Sequence, residues 1–419
     1  MERSISIESW QVNADDPVAL TTLLDLPEFT VTRLEYDAHL NLLLLVCQPH
    51  YDVAACPTCD TLSAQLHDRT ERRVRDLPWA GKRCTLVFPA RRFKCARCRR
   101  PFTERLAAIA PKARATRRYA DYLFEQCRGT TIQAVHRREG LGYKAVEGVY
   151  YRLATQSHSA PPLSAVHRLG IDEIALKKGH GQYVLVLSDL DHGRVLTVLP
   201  ERTKAALEAY LATWTADQRA AITDVALDLW DPYHLAVQAW LPNAQITADR
   251  FHVMQNLTER VTEARRALQR AAPDEEKAQL KGCRWLVVKN ADDLTDEEQA
   301  KLEAMFVVSP ALKRLHDLKE AFREVFETAP DRSTAREQLT AWVQEVEGSG
   351  VSGLTAFVTT LRNWWDVILN YFHARLSSGF VEGMNNKLKL IKRMAYGYRN
   401  FAHFRLRVLV ECDGGLESH

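Results

Sequence analysis

The pattern of apolar and polar positions changes character twice along the chain. Before residue 110, short apolar runs at residues 42–46 and 84–88 predict strands, the second as part of a small β-ribbon. Between residues 116 and 155, apolar positions recur at helical spacing in three closely spaced segments. The second segment follows Thr131, a helix-capping residue type, and stops at Gly140. This pattern is typical of a helix-turn-helix, although any helical hairpin would give it.

From residue 168 the pattern becomes that of strands. Three predicted strands separated by glycine-containing turns indicate an antiparallel meander, at residues 168–176, 183–190 and 195–200. The next predicted elements are a helix at 203–214, a strand at 224–229, a short helix at 233–240 and a strand at 244–248. This order predicts a mixed sheet covered by helices, in which the first and fourth strands can be neighbours.

The rest of the chain is almost entirely helical in pattern. Residues 253–377 have the character of an inserted helical domain, and residues 378–410 form a helix, a break at Gly397 and a second helix. The fold class expected is therefore multidomain α+β. The expected domains are an N-terminal module, a helix-turn-helix domain, a first part of a sheet domain, a helical insertion and C-terminal helices, at 1–110, 111–160, 161–252, 253–377 and 378–419.

Composition places the chain among ordinary globular proteins. Of 419 residues, 46% are hydrophobic and 26% are charged, which excludes wholesale disorder. No apolar run is long enough to cross a membrane, and the first residues have no apolar segment of a secretory signal. We therefore expect a cytoplasmic protein without a membrane partner.

Positive charge is concentrated in two segments. The formal net charge is only +3, but residues 82–118 contain 13 Lys and Arg and a single acid, Glu104. Residues 387–407 contain seven Lys and Arg and no acid. One such segment could be merely a solvated surface, but two on a nearly neutral chain favour a polyanion partner such as nucleic acid.

Four of the nine cysteines form two CxxC pairs, Cys56 with Cys59 and Cys95 with Cys98. This spacing lets two thiolates of each pair reach one tetrahedral metal ion. In a reducing compartment a disulfide framework is not expected, so the pattern predicts one structural Zn²⁺. The alternative is four buried or redox-active cysteines.

Three carboxylates have the positions expected of a metal-dependent phosphodiester site. Asp172 lies in the first predicted strand, Asp228 in the fourth and Glu382 on the helix near the C-terminus. That helix has an apolar stripe, and Lys389 and Arg393 follow Glu382 on another face. Two Asp and one Glu brought together can hold two Mg²⁺ or Mn²⁺ ions. Nearby acids leave the assignment open, namely Glu173, Asp189, Asp224 and Asp231.

Three strings resemble bacterial insertion-sequence transposases of the ISL3 group. They are GIDEI at residues 170–174, ITADRFHV at 246–253 and SGFVEGMNNKLK at 378–389. The resemblance implies an N-terminal zinc module, a helix-turn-helix and an RNase H-like sheet domain with a DDE triad. Carried over by position, Asp172, Asp228 and Glu382 resemble the triad. Asp249 and His252 resemble an acid-x-x-His signature of related transposases.

The expected activity is metal-dependent cleavage and strand transfer at the ends of a mobile element. The expected partners are double-stranded DNA, as terminal inverted repeats and target, and a second copy of the chain, with the protein on the nucleoid when bound. Base contacts are expected from Tyr143, Lys144 and Glu147, and phosphate contacts from Arg91, Arg92, Lys94, Arg97, Arg99, Arg100, Lys389 and Arg393. The alternatives are a catalytically silent DNA-binding regulator and an RNase H-like nuclease.

Overall fold

The computed structural model describes residues 10–13, 21–22, 25, 27–157, 163–177, 182–375 and 378–412, without the side chains of residues 10–13, 177, 283, 352, 374 and 378–382. The chain divides into two compact units, residues 1–157 and 158–419.

The first unit contains a six-stranded sheet, which is larger than the sequence predicted. The strands of this unit are β1 (Trp10–Asn13), β2 (Phe29–Asp37), β3 (Leu42–Pro49), β4 (Ala54–Ala55), β5 (Leu62–Ser63), β6 (Leu66–Trp79), β7 (Lys82–Lys94) and β8 (Pro101–Thr103). β4 and β5 form a separate two-stranded pair. The sheet order is β1-β2-β3-β7-β6, and β8 pairs with β7. The expectation of only a small β-ribbon in this region was therefore wrong.

The long β6–β7 hairpin explains that difference. β6 reads LHDRTERRVRDLPW, so it lacks the alternation of apolar and polar residues that marks a half-buried strand. β7 supplies the apolar positions and pairs in parallel with β3, with Leu43 opposite Cys84. Beneath the sheet, Phe29 and Phe88 are buried with ring centroids 5.0 Å apart. A charged strand is held in place here by its buried neighbour.

Three helices complete the first unit: α1 (Arg117–Cys127), α2 (Ile132–Glu139) and α3 (Tyr143–Ser157). Thr131 caps α2 and Gly140 ends it with φ 65°, as the sequence predicted. Val146 is buried on α3, as expected, but Val149 and Leu153 are only half-buried. The inner face instead continues through Tyr150, whose ring lies 5.3 Å from that of Phe124.

The second unit has a five-stranded sheet that matches the predicted meander. Its strands are β9 (Arg168–Lys177), β10 (Gln182–Asp189), β11 (Arg194–Leu199), β12 (Asp224–Leu227) and β13 (Gln245–Ala248), in the order β11-β10-β9-β12-β13. The first three strands are antiparallel to one another, whereas β12 is parallel to both β9 and β13. The prediction that the first and fourth strands can be neighbours is confirmed.

Helices cover both faces of this sheet. α4 (Lys204–Leu211), the short α5 (Ala216–Ala220) and α6 (Asp231–Trp240) follow β11 and β12, and Leu207, Leu211 and Val237 pack on one face of the sheet. On the other face lie α15 (Ser378–Met394) and α16 (Phe401–Glu411). Met384, Leu388 and Ile391 of α15 are buried against β9, β10 and β11, as their helical spacing predicted; the side chain of Phe380, also assigned to this stripe, lies outside the described residues.

The segment between β13 and α15 is helical throughout its regular elements. The helices are α7 (Arg250–Ala271), α8 (Asp274–Gln279), α9 (Cys283–Val288), α10 (Asp296–Val308), α11 (Pro310–Thr328), α12 (Arg332–Gly348), α13 (Thr355–Asn363) and α14 (Trp365–Ala374). Their core includes Phe322, whose ring centroid lies 4.9 Å from that of Trp342 and 5.0 Å from that of Phe357. In the described part of the chain, no helix has the length and apolar character needed to cross a bilayer.

Candidate functional site

Two aspartates lie side by side in the second sheet, one within β9 and one just after the end of the neighbouring parallel strand β12. Leu227, the last residue of β12, pairs with Ile171 of β9, so Asp228 and Asp172 each follow a paired position. Asp228 lies one residue beyond β12 and not on the strand as predicted, because the backbone N–H of Leu229 turns back to its Oδ1 at 2.6 Å. Asp172 is 9% exposed, whereas the side chain of Asp228 is 40% exposed.

His252 lies between these two carboxylates. It is in the first turn of α7, which Asp249 caps by accepting a hydrogen bond from the N–H of Phe251. His252 Nε2 is 3.4 Å from Asp172 Oδ1, and its Nδ1 is 3.6 Å from Asp228 Oδ1. Its Nε2 is also 4.0 Å from Asp249 Oδ2. His252 of the acid-x-x-His string therefore contacts the carboxylates of Asp172 and Asp228, and Asp249 of the same string lies beside it.

The C-terminal helix α15 reaches the same point through an amide. Asn385 Nδ2 donates a hydrogen bond to Asp172 Oδ2, across 213 positions of sequence. Glu382 lies on α15 one turn before Asn385, but its side chain is outside the described residues. The sequence analysis missed Asn385. The sequence feature that could have identified Asn385 is its position three residues after Glu382, in the string SGFVEGMNNKLK.

The charges of this cluster are unbalanced. Burial disfavours the charged form of His252, but its hydrogen bond to Asp172 and the charges of Asp228 and Asp249 raise its pKa to about 9. Burial alone would raise the pKa of Asp172, yet His252, the N–H of Glu173 and Asn385 lower it. For Asp249, burial and the two neighbouring aspartates raise the pKa. Three carboxylates thus share one imidazole, and this excess of oxygen ligands fits a hard divalent cation.

The other acids considered from sequence have roles elsewhere. Glu173 accepts hydrogen bonds from Tyr233 Oη at 2.8 Å and Arg202 at 3.0 Å. Asp189 is fully buried and pairs with Arg194 at 3.0 Å. Asp224 begins β12, at the opposite end from Asp228, and Asp231 is exposed in the first turn of α6. None of these acids takes part in the cluster around His252.

The four cysteines of the two CxxC pairs meet at one point in the first unit. The Sγ atoms of Cys56, Cys59, Cys95 and Cys98 all lie within 4.8 Å of one another. Sulfur atoms of Cys56 and Cys98, and of Cys59 and Cys95, are 3.5 Å apart. Bonds of about 2.3 Å to tetrahedral zinc would place the sulfurs roughly 3.8 Å apart, so the residues fit the ion. Hydrogen bonds with Thr61 lower the pKa of Cys59 to about 6, which favours the thiolate that zinc needs.

The arginines predicted to hold phosphates fall into two classes. Arg91 is paired: its guanidinium lies 2.7 Å from Glu104, a carboxylate with 5% side-chain exposure, and donates to the carbonyl of Tyr51. These contacts use Nε and Nη2 of Arg91, so Glu104 competes with a phosphate for this side chain, and its DNA contact stays a prediction. The other predicted contacts of this segment are exposed, namely Arg92, Lys94, Arg97, Arg99 and Arg100.

The predicted base-reading residues begin α3. Tyr143 and Lys144 are exposed, whereas Glu147 is half-buried. Lys144 Nζ lies 2.5 Å from Glu147 Oε2. On α15, Lys389 and Arg393 are exposed as expected, while Lys392 donates to the carbonyl of Ala175 in β9 and so anchors the helix.

Comparison with known proteins gives the family of the chain and supports its zinc module. A transposase family model of the ISL3 group matches residues 169–408, and a model described as the zinc-finger of transposases of IS204, IS1001, IS1096 and IS1165 matches residues 52–98. The chain is 31% identical over 376 residues to the transposase for insertion sequence element IS1001 of Bordetella parapertussis, covering 89% of this chain and 92% of that protein. It is also 31% identical over 259 residues to the transposase for IS1557 of Mycobacterium tuberculosis, covering 56% and 57%. The chain therefore belongs to the ISL3 group of insertion-sequence transposases and carries its four-cysteine zinc ribbon.

Proposed function

We propose that this transposase cuts and joins DNA through a DDE triad of Asp172, Asp228 and Glu382. The proposal rests on the adjacency of Asp172 in β9 and Asp228 just after β12. It rests also on the hydrogen bond that Asn385, one turn beyond Glu382 on α15, donates to Asp172. The sheet order β11-β10-β9-β12-β13, with its antiparallel meander followed by parallel strands, supports an RNase H-like catalytic core. Residues 253–377 would be a helical insertion into that core.

The donor set supports divalent metal as the cofactor, with Mg²⁺ or Mn²⁺ as the preferred ions. Asp172, Asp228 and Glu382 would hold the metal, because carboxylate oxygens select hard cations and the cluster has excess negative charge. When bound, two such ions neutralise the phosphodiester and activate the attacking oxygen.

The neighbouring residues hold these carboxylates in place. Asn385 donates to Asp172 Oδ2 and the N–H of Glu173 donates to Oδ1 at 2.6 Å, so the carboxylate has a fixed orientation. His252 carries its proton between Asp172 and Asp228 and limits their mutual repulsion. Asp249 caps α7 and so fixes the helix turn that carries His252.

The first unit would supply recognition of the element ends. Its zinc ribbon lies in the same segment as the exposed Arg92, Lys94, Arg97, Arg99 and Arg100, which would hold phosphates. Helices α2 and α3 would form the helix-turn-helix, with Tyr143, Lys144 and Glu147 at the start of α3 facing base edges. Lys389 and Arg393 would hold phosphates flanking the cut. Because two ends must be joined, at least a homodimer on DNA is expected.

A metal-dependent cleavage assay on the element's own ends tests the proposal. Asp172→Asn, Asp228→Asn and Glu382→Gln should each reduce cleavage and joining in Mg²⁺ by several orders of magnitude while end binding stays intact. Asp231→Asn is the matched control, since this exposed acid lies only three positions after Asp228. Its cleavage rate should stay near that of the wild type.

Three outcomes would contradict the proposal. Loss of cleavage in Asp231→Asn but not in Asp228→Asn would show that the second acid is misassigned. Sequence-specific end binding by wild-type protein with no cleavage in either Mg²⁺ or Mn²⁺ would favour a silent DNA-binding regulator. Equal cleavage of element ends and random DNA would favour a general nuclease.

A further inference from the structure

A fully exposed tyrosine lies just beyond the helix that carries Asn385. α15 ends at Met394, and Tyr396 follows with φ 52° and a side chain that is 100% exposed. The N–H of Tyr396 donates to the carbonyl of Arg393 at 3.0 Å, and that of Gly397 to the carbonyl of Lys392 at 3.1 Å. These two bonds form a Schellman motif, in which the left-handed residue is usually glycine.

Stability does not explain a tyrosine at this position. A side chain strains a backbone with positive φ, and glycine would adopt the same conformation without strain. The exposed ring of Tyr396 also gains no burial that could offset the strain. Strained positions of this kind are common at binding sites, so the ring is a candidate for contact with a ligand.

The chain around Tyr396 is basic. Residues 387–407 contain no acid, and the described side chains of Lys389, Arg393 and Arg399 are exposed. Other cations of the segment have partners within the unit: Lys392 binds the carbonyl of Ala175, and Arg405 binds Thr197. An exposed aromatic ring flanked by exposed cations is the combination with which proteins bind unpaired nucleotides, by base stacking and charge attraction.

We propose that Tyr396 stacks on an unpaired DNA base close to the cleaved end, a proposal that rests on the function proposed above. From Asn385 to Tyr396 is 11 positions, or roughly 16 Å along a helix axis. Nucleotides that keep duplex-like stacking rise by about 3.4 Å each, so that length corresponds to about five stacked nucleotides from the carboxylate cluster. Lys389 and Arg393 would hold the phosphates between the two points. Because every base has a π-face, this contact would tolerate any sequence.

The experiment uses the full-length, zinc-loaded protein and two forms of an element-end duplex. One form is fully paired, and the other has a single-stranded tail with a fluorescent adenine analogue at successive positions. Quenching should peak about five nucleotides from the cut. Tyr396→Gly should remove this quenching and weaken binding of the tailed duplex by about tenfold, with little change for the paired duplex. Tyr396→Phe should retain both.

The same substitutions test whether a loss of binding is caused by misfolding. Glycine suits the left-handed position, so Tyr396→Gly should melt at or above the wild-type temperature. Trp285→Ala, which removes another exposed aromatic ring of this unit, should leave the quenching unchanged. Equal binding of the tailed duplex by wild-type and Tyr396→Gly protein would overturn the inference, as would an equal loss on the paired duplex. Cleavage of the paired duplex by the wild type tests the proposed triad independently of the Tyr396 contact.

Discussion

Removal of zinc should unfold only one end of the N-terminal sheet. The cysteines pack with Phe93 and Phe102 in a small cluster of their own, in which the two phenylalanine rings lie 6.0 Å apart. The main core of the sheet is a separate cluster that includes Phe29, Leu43 and Phe88. Because the two cores are separate, we expect the metal to stabilise only the two cysteine turns, β4, β5 and β8.

The magnitudes support local unfolding. Burial of two phenylalanines contributes about 3–6 kcal/mol, whereas a structural zinc ion contributes about 10–16 kcal/mol in small zinc modules. Without the ion, four thiol groups within 4.8 Å of one another gain little and the cysteine turns lose their main stabilisation. β3 and β7 keep their own pairing, from Leu42 opposite Arg83 to Val46 opposite Val87, because the main core lies beneath them.

Hydrogen exchange measures this difference directly. After chelation, or in Cys95→Ser, the amides of Asp60 and Arg99 should exchange quickly, since they bond to the carbonyls of Cys56 and Cys95 in the two turns. Amides of β3 and β7 should stay protected. Cys47→Ser is the matched control, because Cys47 is buried outside the zinc cluster. Simultaneous loss of protection in β3 and β7 would refute the reasoning, as would full protection of the turns in protein shown to lack zinc.

Three further predictions concern the catalytic cluster, the basic segment and the helical segment. Asn385→Leu should slow end cleavage by about 10–100-fold, because a buried carboxylate loses a hydrogen bond of about 1.5–3 kcal/mol, while the exposed neighbour Asn386→Leu should cleave normally. Arg99→Ala should lower the salt slope of DNA binding by about one unit, whereas Arg91→Ala should chiefly lower the melting temperature by leaving Glu104 buried and unpaired. Burial and the charge of Lys319 lower the pKa of His316 to about 4, below about 6.5 for an unfolded histidine, so the stability due to neutral His316 is complete above pH 6.5 and lost toward pH 4, by up to about 3 kcal/mol. Denaturant unfolding at several pH values should show that His316→Leu removes this loss; an unchanged pH dependence would contradict the assignment.

The sheet of the second unit could be predicted because its signals are local. Apolar runs and glycine turns predicted the meander, and the order of strands and helices predicted a mixed sheet in which the first and fourth strands can be neighbours. The adjacency of Asp172 and Asp228 followed from that order. The exact position of Asp228 did not follow, since this residue lies beyond the strand, where its carboxylate accepts a hydrogen bond from the N–H of Leu229. Strand ends depend on such individual contacts, which apolar patterns do not report.

The features that the sequence did not reveal depend on partners far away along the chain. β6 is a strand because β7 pairs with it and β7 is itself held by β3, although the residues of β6 are mostly charged. Asn385 is a neutral amide, and only its contact with Asp172 gives it a role. The pairing of Arg91 with Glu104 likewise could not be read from a basic run. Tertiary pairing decides each of these cases.

The residues of the cluster around His252, with α15 beside them, are held with different rigidity. Asp172 and Asp228 each directly follow the paired position formed by Ile171 of β9 and Leu227 of β12, so the sheet sets their separation. α15 is attached by side chains instead: Met384, Leu388 and Ile391 pack on the sheet, and Asn385 and Lys392 add hydrogen bonds to β9. Apolar packing is not directional, whereas a hydrogen bond fixes register and rotation. The two hydrogen bonds of α15 with β9 therefore determine the position of Glu382 relative to Asp172. The apolar stripe determines how strongly the helix is held on the sheet.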